Sequence, residues 1–430
     1  MNDKITYIDA SRYDGEVLNG GAAVLDFYST ECTPCEALAA KFEPLSGIYG
    51  NDVRFIKIFR QENRELAEKL GVASSPTLIF YNNGAETGER LSGGIKRSDI
   101  VRNLESLIPE GRAAELRSLT RPVATECDIL IIGGGPAGLT AGIYAAQSRL
   151  STIIVDRSLP GGQVKTTHLV SNYPGFEKPV EGYMLMHRMA EQAAAAGVQF
   201  RQAVEVTDVQ LDAKTLVIDG FETIRAKKII IATGSSYREL NVPGELEYRG
   251  RGISYCATCD AKYYDGKDVV VIGGGNSAVE ESLFITRFAR TVTIVHQFDR
   301  LQANREAQER AFANDRIRFI FEHEPRAFVK RDSGGIDVTI ENLKTGGREN
   351  LACDGVFIFA GMKPNIDLFD GQLALDRWGY LAADQMLRTS IPGVLVAGDV
   401  RSKPYRQITT AVADGTVAAV TAVKDLESGS

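Results

Sequence analysis

The stretch Cys127-Asp-Ile-Leu-Ile-Ile-Gly-Gly-Gly-Pro-Ala-Gly138 decides the fold. Its apolar run is strand-sized and leads into G-x-G-x-x-G on Gly133, Gly135 and Gly138, and small residues then continue through Gln147 in the manner of a tightly packed helix opened by Pro136 and Ala137. A second apolar run, Thr152-Ile-Ile-Val-Asp156, closes a βαβ unit. Each residue type has a physical reason to be there. The first glycine permits the tight turn and the second lets backbone N–H groups approach a pyrophosphate. The third lets helix pack on strand, and an acid at the end of the second strand, here Asp156, can bond a ribose hydroxyl.

The device recurs. Val269-Val-Val-Ile-Gly-Gly-Gly-Asn-Ser-Ala278 repeats the strand and turn with Gly273, Gly275, Asn276, Ser277 and Ala278, and Thr291-Val-Thr-Ile-Val295 is its second strand, ending at His296 and Gln297. Two such turns in one chain imply two dinucleotides. Between the units, Lys228-Ile-Ile-Ile-Ala-Thr-Gly234 is an apolar strand ending at Thr233 and Gly234, and Gly355-Val-Phe-Ile-Phe-Ala-Gly361 answers it after the second unit. Strands of this kind leave one domain and enter another, so the class is α/β with two Rossmann-like dinucleotide-binding domains.

Four of the six cysteines form two C-x-x-C pairs. Cys256 and Cys259 lie in Ser254-Tyr-Cys-Ala-Thr-Cys-Asp260, just before the second glycine turn, and Cys32 and Cys35 lie far upstream. Such a pair cycles between dithiol and disulfide because its thiols are held about one helical turn apart. Ala22-Ala-Val-Leu-Asp-Phe-Tyr-Ser29 reads as a buried strand carrying Asp26, running through Thr30-Glu-Cys-Thr-Pro-Cys35 into a helix over 36–45. At that helix N-terminus the Cys32 thiolate is stabilised by unpaired N–H groups, which makes Cys32 the nucleophile and Cys35 the resolving thiol. Cys127 and Cys353 stand singly beside apolar strands and read as buried, unreactive thiols.

The length of 430 residues suits about three domains. A net charge of −7 without a basic patch argues against nucleic acid or an anionic membrane as partner. No apolar run is long enough to span a bilayer, and Met1–Thr6 lacks the features of a signal peptide, so a cytoplasmic protein is expected. Residues 98–109 read as an amphipathic helix ended by Pro109, and Gly111–Glu126 as a connector with room for a short helix, long enough when extended to let a domain reorient.

Asp26, Cys32-Thr-Pro-Cys35, Ser75-Pro-Thr77, the Asn82-Asn-Gly84 turn and Gly93-Gly94 together resemble thioredoxin over residues 1–107, despite Tyr28 and Glu31 in place of the usual tryptophans and Thr33 in place of a glycine. The resemblance implies a cis-proline at Pro76 that shapes the substrate groove. It also implies that Asp26 is a buried base for Cys35, the alternative being an inert strand-edge carboxylate. From Cys127 to about Leu426 the chain resembles the bacterial low-molecular-weight thioredoxin reductases, through Gly133–Gly138, Gly161-Gly-Gln163, Asn172-Tyr-Pro-Gly175, Cys256–Asp260, Gly273–Ala278, Gly398-Asp399 and Tyr405-Arg-Gln407.

This second resemblance implies an FAD domain in two parts, 127–240 and 363–430, with an NAD(P) domain carrying Cys256 and Cys259 inserted at 241–362 and a linker at 108–126. FAD is expected on the first turn, with Asp156 to Gln163, Gly162 included, along its adenosine and pyrophosphate. Asn172 is expected near the flavin, Asp399 beside Gly398 on the ribityl chain, and Arg406 and Gln407 along the isoalloxazine. Asp260 is expected to supply a proton, or else to be an ordinary turn aspartate. The family rotates its two domains, and the crossings near Tyr237–Val242 and Met362–Ile366 are the expected hinges.

One departure bears on the electron donor. Where NADPH-using members carry arginines for the 2′-phosphate, this chain has His296-Gln-Phe-Asp-Arg-Leu-Gln302, with Gln297, Phe298 and Gln302 at those places. Each lost charge-assisted bond is worth about 1.5–3 kcal/mol, so NADH becomes the expected donor and NADPH, gripped by Arg300 and Arg305, the alternative. The run and the domain order are similar to the flavoprotein subunit of alkyl hydroperoxide reductase. The expected activity is that of a thioredoxin-disulfide reductase type enzyme. In the first reading electrons pass from NADH through FAD and Cys256/Cys259 to Cys32/Cys35 and on to protein disulfides, in a homodimer through the FAD domain. The alternatives are an electron donor to a peroxiredoxin and a reductase of separate thioredoxins in which the N-terminal domain only docks them. Ferredoxin-driven reduction without a nicotinamide is disfavoured by the complete second turn, and no metal site is expected.

Overall fold

Alternation along short apolar strands builds the first sheet. In the computed structural model, which describes residues 4–30, 32–167, 170 and 172–429 apart from the side chains of Thr33, Thr166, Thr258 and Cys259, the strands Ile5–Ile8, Arg54–Phe59, Ala23–Tyr28, Thr77–Asn82 and Ala85–Glu86 lie side by side in that order. Period-two alternation sends Val24, Phe55, Leu78 and Phe80 to one face and Leu25, Phe27, Ile56, Ile58 and Ile79 to the other, and both faces are buried. The order and the parallel and antiparallel pairings are those of the thioredoxin fold. Glu31, noted above as a departure from that family, lies outside the described residues.

The connector forms the short helix for which its sequence left room and is otherwise brief. A helix, Glu110–Ser118, occupies half of it and turns Ala113 and Leu116 onto the thioredoxin domain, where Leu116 joins the cluster of Leu104 and Leu107. Arg112 pins the helix by a forked pair of bonds to Asp52, both 2.9 Å. The strand Val123–Ile132 then begins at once, pairing from Val123 with Glu222. Only Leu119–Pro122 lies outside regular elements, a stretch that spans roughly 14 Å when extended.

Contacts divide the chain into one unit of residues 1–164, 185–234 and 365–430 and another of 165–184 and 235–364. In the first, beyond the thioredoxin domain, Val206–Gln210, Thr215–Ile218, Glu222–Ile231, Val123–Ile132, Thr152–Asp156 and Gln199–Gln202 form a sheet in that order, with Val394–Val396 also on Glu222–Ile231. The helix Pro136–Gln147 packs on it, and the long helix Ile408–Glu427 comes close enough to meet Ala137 only because Gly415 has no side chain there.

The second unit has its own parallel sheet, Ile253–Ser254, Gly355–Ile358, Asp268–Ile272, Thr291–His296 and Ile317–Phe321 in that order. A three-stranded antiparallel layer, His323–Lys330, Ile336–Asn342 and Arg348–Cys353, covers one face. The unit boundaries at 234/235 and 364/365 are two neighbouring chain crossings. Ser235–Tyr237 pairs antiparallel with Met362–Pro364 in the second unit, while in the first Asn365 bonds Thr233 and Gly234 through both backbone and side chain.

Candidate functional site

The first redox pair is set by a helix start. Cys32 is the N-cap of the helix Thr33–Tyr49, its sulfur accepting the Cys35 N–H at 3.2 Å, and Cys32 and Cys35 form a disulfide. Cys32 is half-buried and Cys35 buried, as the nucleophile and resolving roles require. The Cys32 sulfur sits 3.7 Å from the Ser75 carbonyl, the Ser75–Pro76 peptide is cis, and the Gly93 N–H donates to the Pro76 carbonyl at 3.3 Å. Three separate stretches therefore meet at one edge.

Asp26 lies in the middle of the central strand, 1 % exposed. One carboxyl oxygen has no hydrogen-bond partner and the other faces Lys57 Nζ at 3.5 Å. Burial pushes its pKa up to about 6, and Lys57 pulls the other way. A carboxyl group poised there can hold or release a proton near neutrality. Lys57 went unrecognised in the sequence, where a lysine inside an apolar strand is the one signal and its register opposite Asp26 comes only with the pairing of the strands.

The second pair opens the short helix Ala257–Asp260, with Cys256 as its N-cap and disulfide-bonded. The side chain of Cys259 lies outside the described residues. Asp260 accepts from the Ser254 hydroxyl at 2.6 Å, and the same Ser254 oxygen accepts the Cys256 N–H at 3.1 Å, so one serine links the acid to the cysteine backbone. Ser254 is a positioning residue that motif reading passed over. Cys127 and Cys353 are buried free thiols, each held up at about 12 by burial, and both are chemically quiet.

The two glycine turns share their backbone. Gly133 and Gly273 adopt φ of +110° and +129°, where a side chain would strike the carbonyls of Ala232 and Phe359. Gly135 and Gly275 cap the helices that follow, while Gly138 and Ala278 are buried at the crossing of helix and strand. In the first turn the Gly134 N–H donates to Asp156 at 2.7 Å, and the Gly161 N–H donates to the Gly134 carbonyl at 2.7 Å. Gly162, at φ +56°, has room for no side chain against Gly135, and Gln163 follows it.

Across the same unit Gly398 lies against Ala137, and Asp399 pairs with Lys403 at 3.0 Å. Arg406 stacks on Tyr380 at 3.9 Å with its Nε buried and unpartnered, and Gln407 caps the helix Ile408–Glu427. A bare glycine cradle at a helix N-terminus, flanked by an acid and an orphaned arginine nitrogen, fits a dinucleotide with a polar second half. Asn172 falls in the other unit.

In the second turn His296 ends the strand where Asp156 ends the first. Its ring lies directly against Gly274, its Nε2 is buried without a partner, and burial holds its pKa down. The Gln302 N–H donates to the Gly274 carbonyl at 2.8 Å, as Gly161 does to Gly134. Asn276 accepts the Asn304 N–H at 2.7 Å, which ties the turn to the next helix, and Ser277 follows in its first turn. Gln297, Phe298 and Arg300 are exposed, and Arg305 is exposed and paired with Glu309.

Comparison with known proteins agrees with this geometry. The family model described as pyridine nucleotide-disulphide oxidoreductase matches residues 127–415, and the thioredoxin model matches residues 4–106. The chain belongs to the pyridine nucleotide-disulphide oxidoreductases. It is similar to a 34.2 kDa protein of the rubredoxin operon of Clostridium pasteurianum, 44% identical over 70% of this chain and 97% of the relative. Thioredoxin reductase of Peptoclostridium acidaminophilum is 41% identical with the same coverage. Among solved structures, thioredoxin reductase from Streptococcus pyogenes matches with a TM-score of 0.62 and 42% identity, over 71% of this chain and 99% of that one. This oxidoreductase is thus a disulfide reductase of the bacterial thioredoxin reductase type, with a thioredoxin domain at its N-terminal side. Among the described residues no helix is long and apolar enough to cross a membrane, and no cluster of side chains could hold a metal.

Proposed function

We propose that the chain carries electrons from NADH to protein disulfides through its own thioredoxin domain. The observation that carries this reading is the joining of two cysteine pairs, each at a helix start, to two glycine turns in one polypeptide. The first turn, with Asp156, Gln163, Asp399, Arg406 and Gln407, is assigned to FAD, and Asn172 to the flavin end. Bound there, FAD would take a hydride from the nicotinamide and release two electrons to a disulfide. The second turn, with His296 and Gln297, is assigned to NADH, because Gln297, Phe298 and Gln302 offer a 2′-phosphate dianion no charge and Arg305 is already paired with Glu309.

The remaining steps belong to the chain's residues. Cys256 and Cys259 become a dithiol, with Asp260 as the proton source beside them. They exchange with Cys32–Cys35, and Cys32 then attacks the client disulfide. Cys35, losing its proton to Asp26, displaces the reduced client and restores the disulfide. The net change is NADH, a proton and a client disulfide giving NAD+ and a client dithiol. A homodimer through the FAD domain and a cytoplasmic setting complete the reading.

Cys32→Ser tests it. The variant should lose reduction of a protein disulfide such as insulin by at least 100-fold while NADH still bleaches the flavin. Retained reduction of added separate thioredoxin, at wild-type rate, would instead assign the N-terminal domain a docking role. A second reading, electron supply to a peroxiredoxin, is favoured by the same run, with Gln297, Phe298 and Gln302 in place of arginines, and by the domain order. It would be supported by peroxide-dependent NADH oxidation once a peroxiredoxin is added.

A further inference from the structure

A lysine buried on the thioredoxin domain has its second acceptor in another part of the chain. Lys41, on the helix begun by Cys32, is 7 % exposed, and its ammonium donates to the Ile95 carbonyl at 2.8 Å and to the Ala203 carbonyl at 3.0 Å. Ala203 belongs to the nucleotide-binding part of the first unit, just after the strand Gln199–Gln202. The neighbours of Lys41 repeat the pattern. Gly94 faces Leu159 and Ala203, Lys96 pairs with Glu205 at 3.5 Å, and the Arg97 guanidinium lies 4.6 Å above the Phe221 ring. Asp219, whose carboxylate takes the Glu205 N–H, supplies the field that acts on both Lys41 and Arg97. The thioredoxin side is basic and the receiving side acidic.

The loop so contacted adjoins the redox edge, and Gly94 itself stays exposed. Gly93 bonds the Pro76 carbonyl, Ser75 faces the Cys32 sulfur, and Gly94 is the next residue along. A protein client must lay its chain along this edge to bring a disulfide to Cys32. A small disulfide needs only the sulfur, which remains half-exposed.

We propose that Leu159, Ala203, Glu205, Asp219 and Phe221 form a seat for the chain's own thioredoxin domain, which crowds one side of the client groove and must be left before a protein client is reduced. The partner is this domain, held by Lys41, Lys96 and Arg97. The proposal rests on the reading that the thioredoxin domain reduces protein disulfides. With only Leu119–Pro122 as free connector, release swings the domain about a short tether.

Two variants test it in the full-length, flavin-loaded protein. Lys41→Glu places an acid against Asp219 and Glu205 and should free the domain. Scattering should then report a larger radius of gyration, and kcat/KM for insulin should rise at least threefold, with flavin bleaching by NADH unchanged. The pair Gly94→Cys with Ala203→Cys should lock the seat. The Cβ of Ala203 stands 3.8 Å from the place of a Cβ on Gly94, within the range of a disulfide.

The cross-linked form should reduce insulin at least tenfold more slowly than the same variant with the cross-link opened, while a small aromatic disulfide is reduced at similar rates by both. Failure of the pair to cross-link would overturn the seat. So would a cross-linked enzyme as fast on insulin as the opened one, or a Lys41→Glu protein no larger than wild type. If the wild-type protein reduces no protein disulfide while the Gly94→Cys, Ala203→Cys variant cross-links fully, the proposed function fails and the docking stands.

Discussion

The two glycine turns are built alike and finished differently. Both place a glycine at positive φ under a neighbouring carbonyl, and both take a returning N–H on the carbonyl of the middle glycine, from Gly161 in one and from Gln302 in the other. The difference is the residue that ends the second strand. Asp156 binds the turn through the Gly134 N–H and keeps a carboxylate at the rim, whereas His296 fills the same place with a ring that is neutral because it is buried. The backbone defines a dinucleotide site, and the residue at the strand end with its exposed followers selects which dinucleotide binds.

Exchanging the selecting residues should have the largest effect. Gln297→Arg with Phe298→Arg should raise kcat/KM for NADPH by about 100-fold, the equivalent of ~2.7 kcal/mol for two charge-assisted bonds, and change that for NADH little. Steady-state kinetics with both donors would check this, and an unchanged NADPH value would mean the second turn does not hold the adenosine end. Next comes Asp156→Ala, which removes the anchor of the first turn. Flavin affinity should fall by about 30-fold, or ~2 kcal/mol, read as flavin lost on gel filtration.

A second acid sharpens the contrast, because Asp26 is buried without the N–H donors that Asp156 enjoys. Its folded pKa of about 6 lies above the ordinary 3.8, so the folded chain keeps a proton that the unfolded chain has already lost. Stability contributed by this group therefore falls as pH rises from about 4 to about 6, and the deficit is complete above that range. Asp26→Asn should remove it, stabilising the thioredoxin domain by about 1–2 kcal/mol at pH 8 and by almost nothing at pH 4, as urea midpoints would report. The unpaired charge left on Lys57 keeps the gain below the ~3 kcal/mol that the full shift represents. Gly274→Ala should have the smallest effect. A methyl group there meets the His296 ring, and moving the ring should raise KM for NADH about threefold, or ~0.7 kcal/mol, with less effect on flavin content.

Much of this was legible in the sequence because it is local. The glycine turns and the two cysteine pairs are set by residues within a few positions of one another, whereas the cis proline at Ser75–Pro76 followed only from the resemblance carried by Asp26 to Gly94 together. What was missed depends on distant partners. No neighbour in the sequence marks Lys57 or Lys41, and it is the fold that buries one beside Asp26 and the other against Ala203. The helix Glu110–Ser118 was hidden by Gly111 and its many charges, since its apolar face is little more than Ala113 and Leu116, and tertiary packing secures it. Ser254 sits inside a recognised motif and Lys403 between two of them, but their roles follow from contacts with Asp260 and Asp399 that spacing alone does not specify.

The claim that Gln297, Phe298 and Gln302, standing in place of arginines at the second turn, make this an NADH-driven relay is tested most directly by anaerobic stopped-flow bleaching of the flavin with NADH and, separately, NADPH at matched concentrations. NADH should bleach the flavin at least tenfold faster than NADPH. Faster bleaching by NADPH would contradict the donor assignment, and bleaching by neither would contradict the assignment of the second turn to a nicotinamide at all.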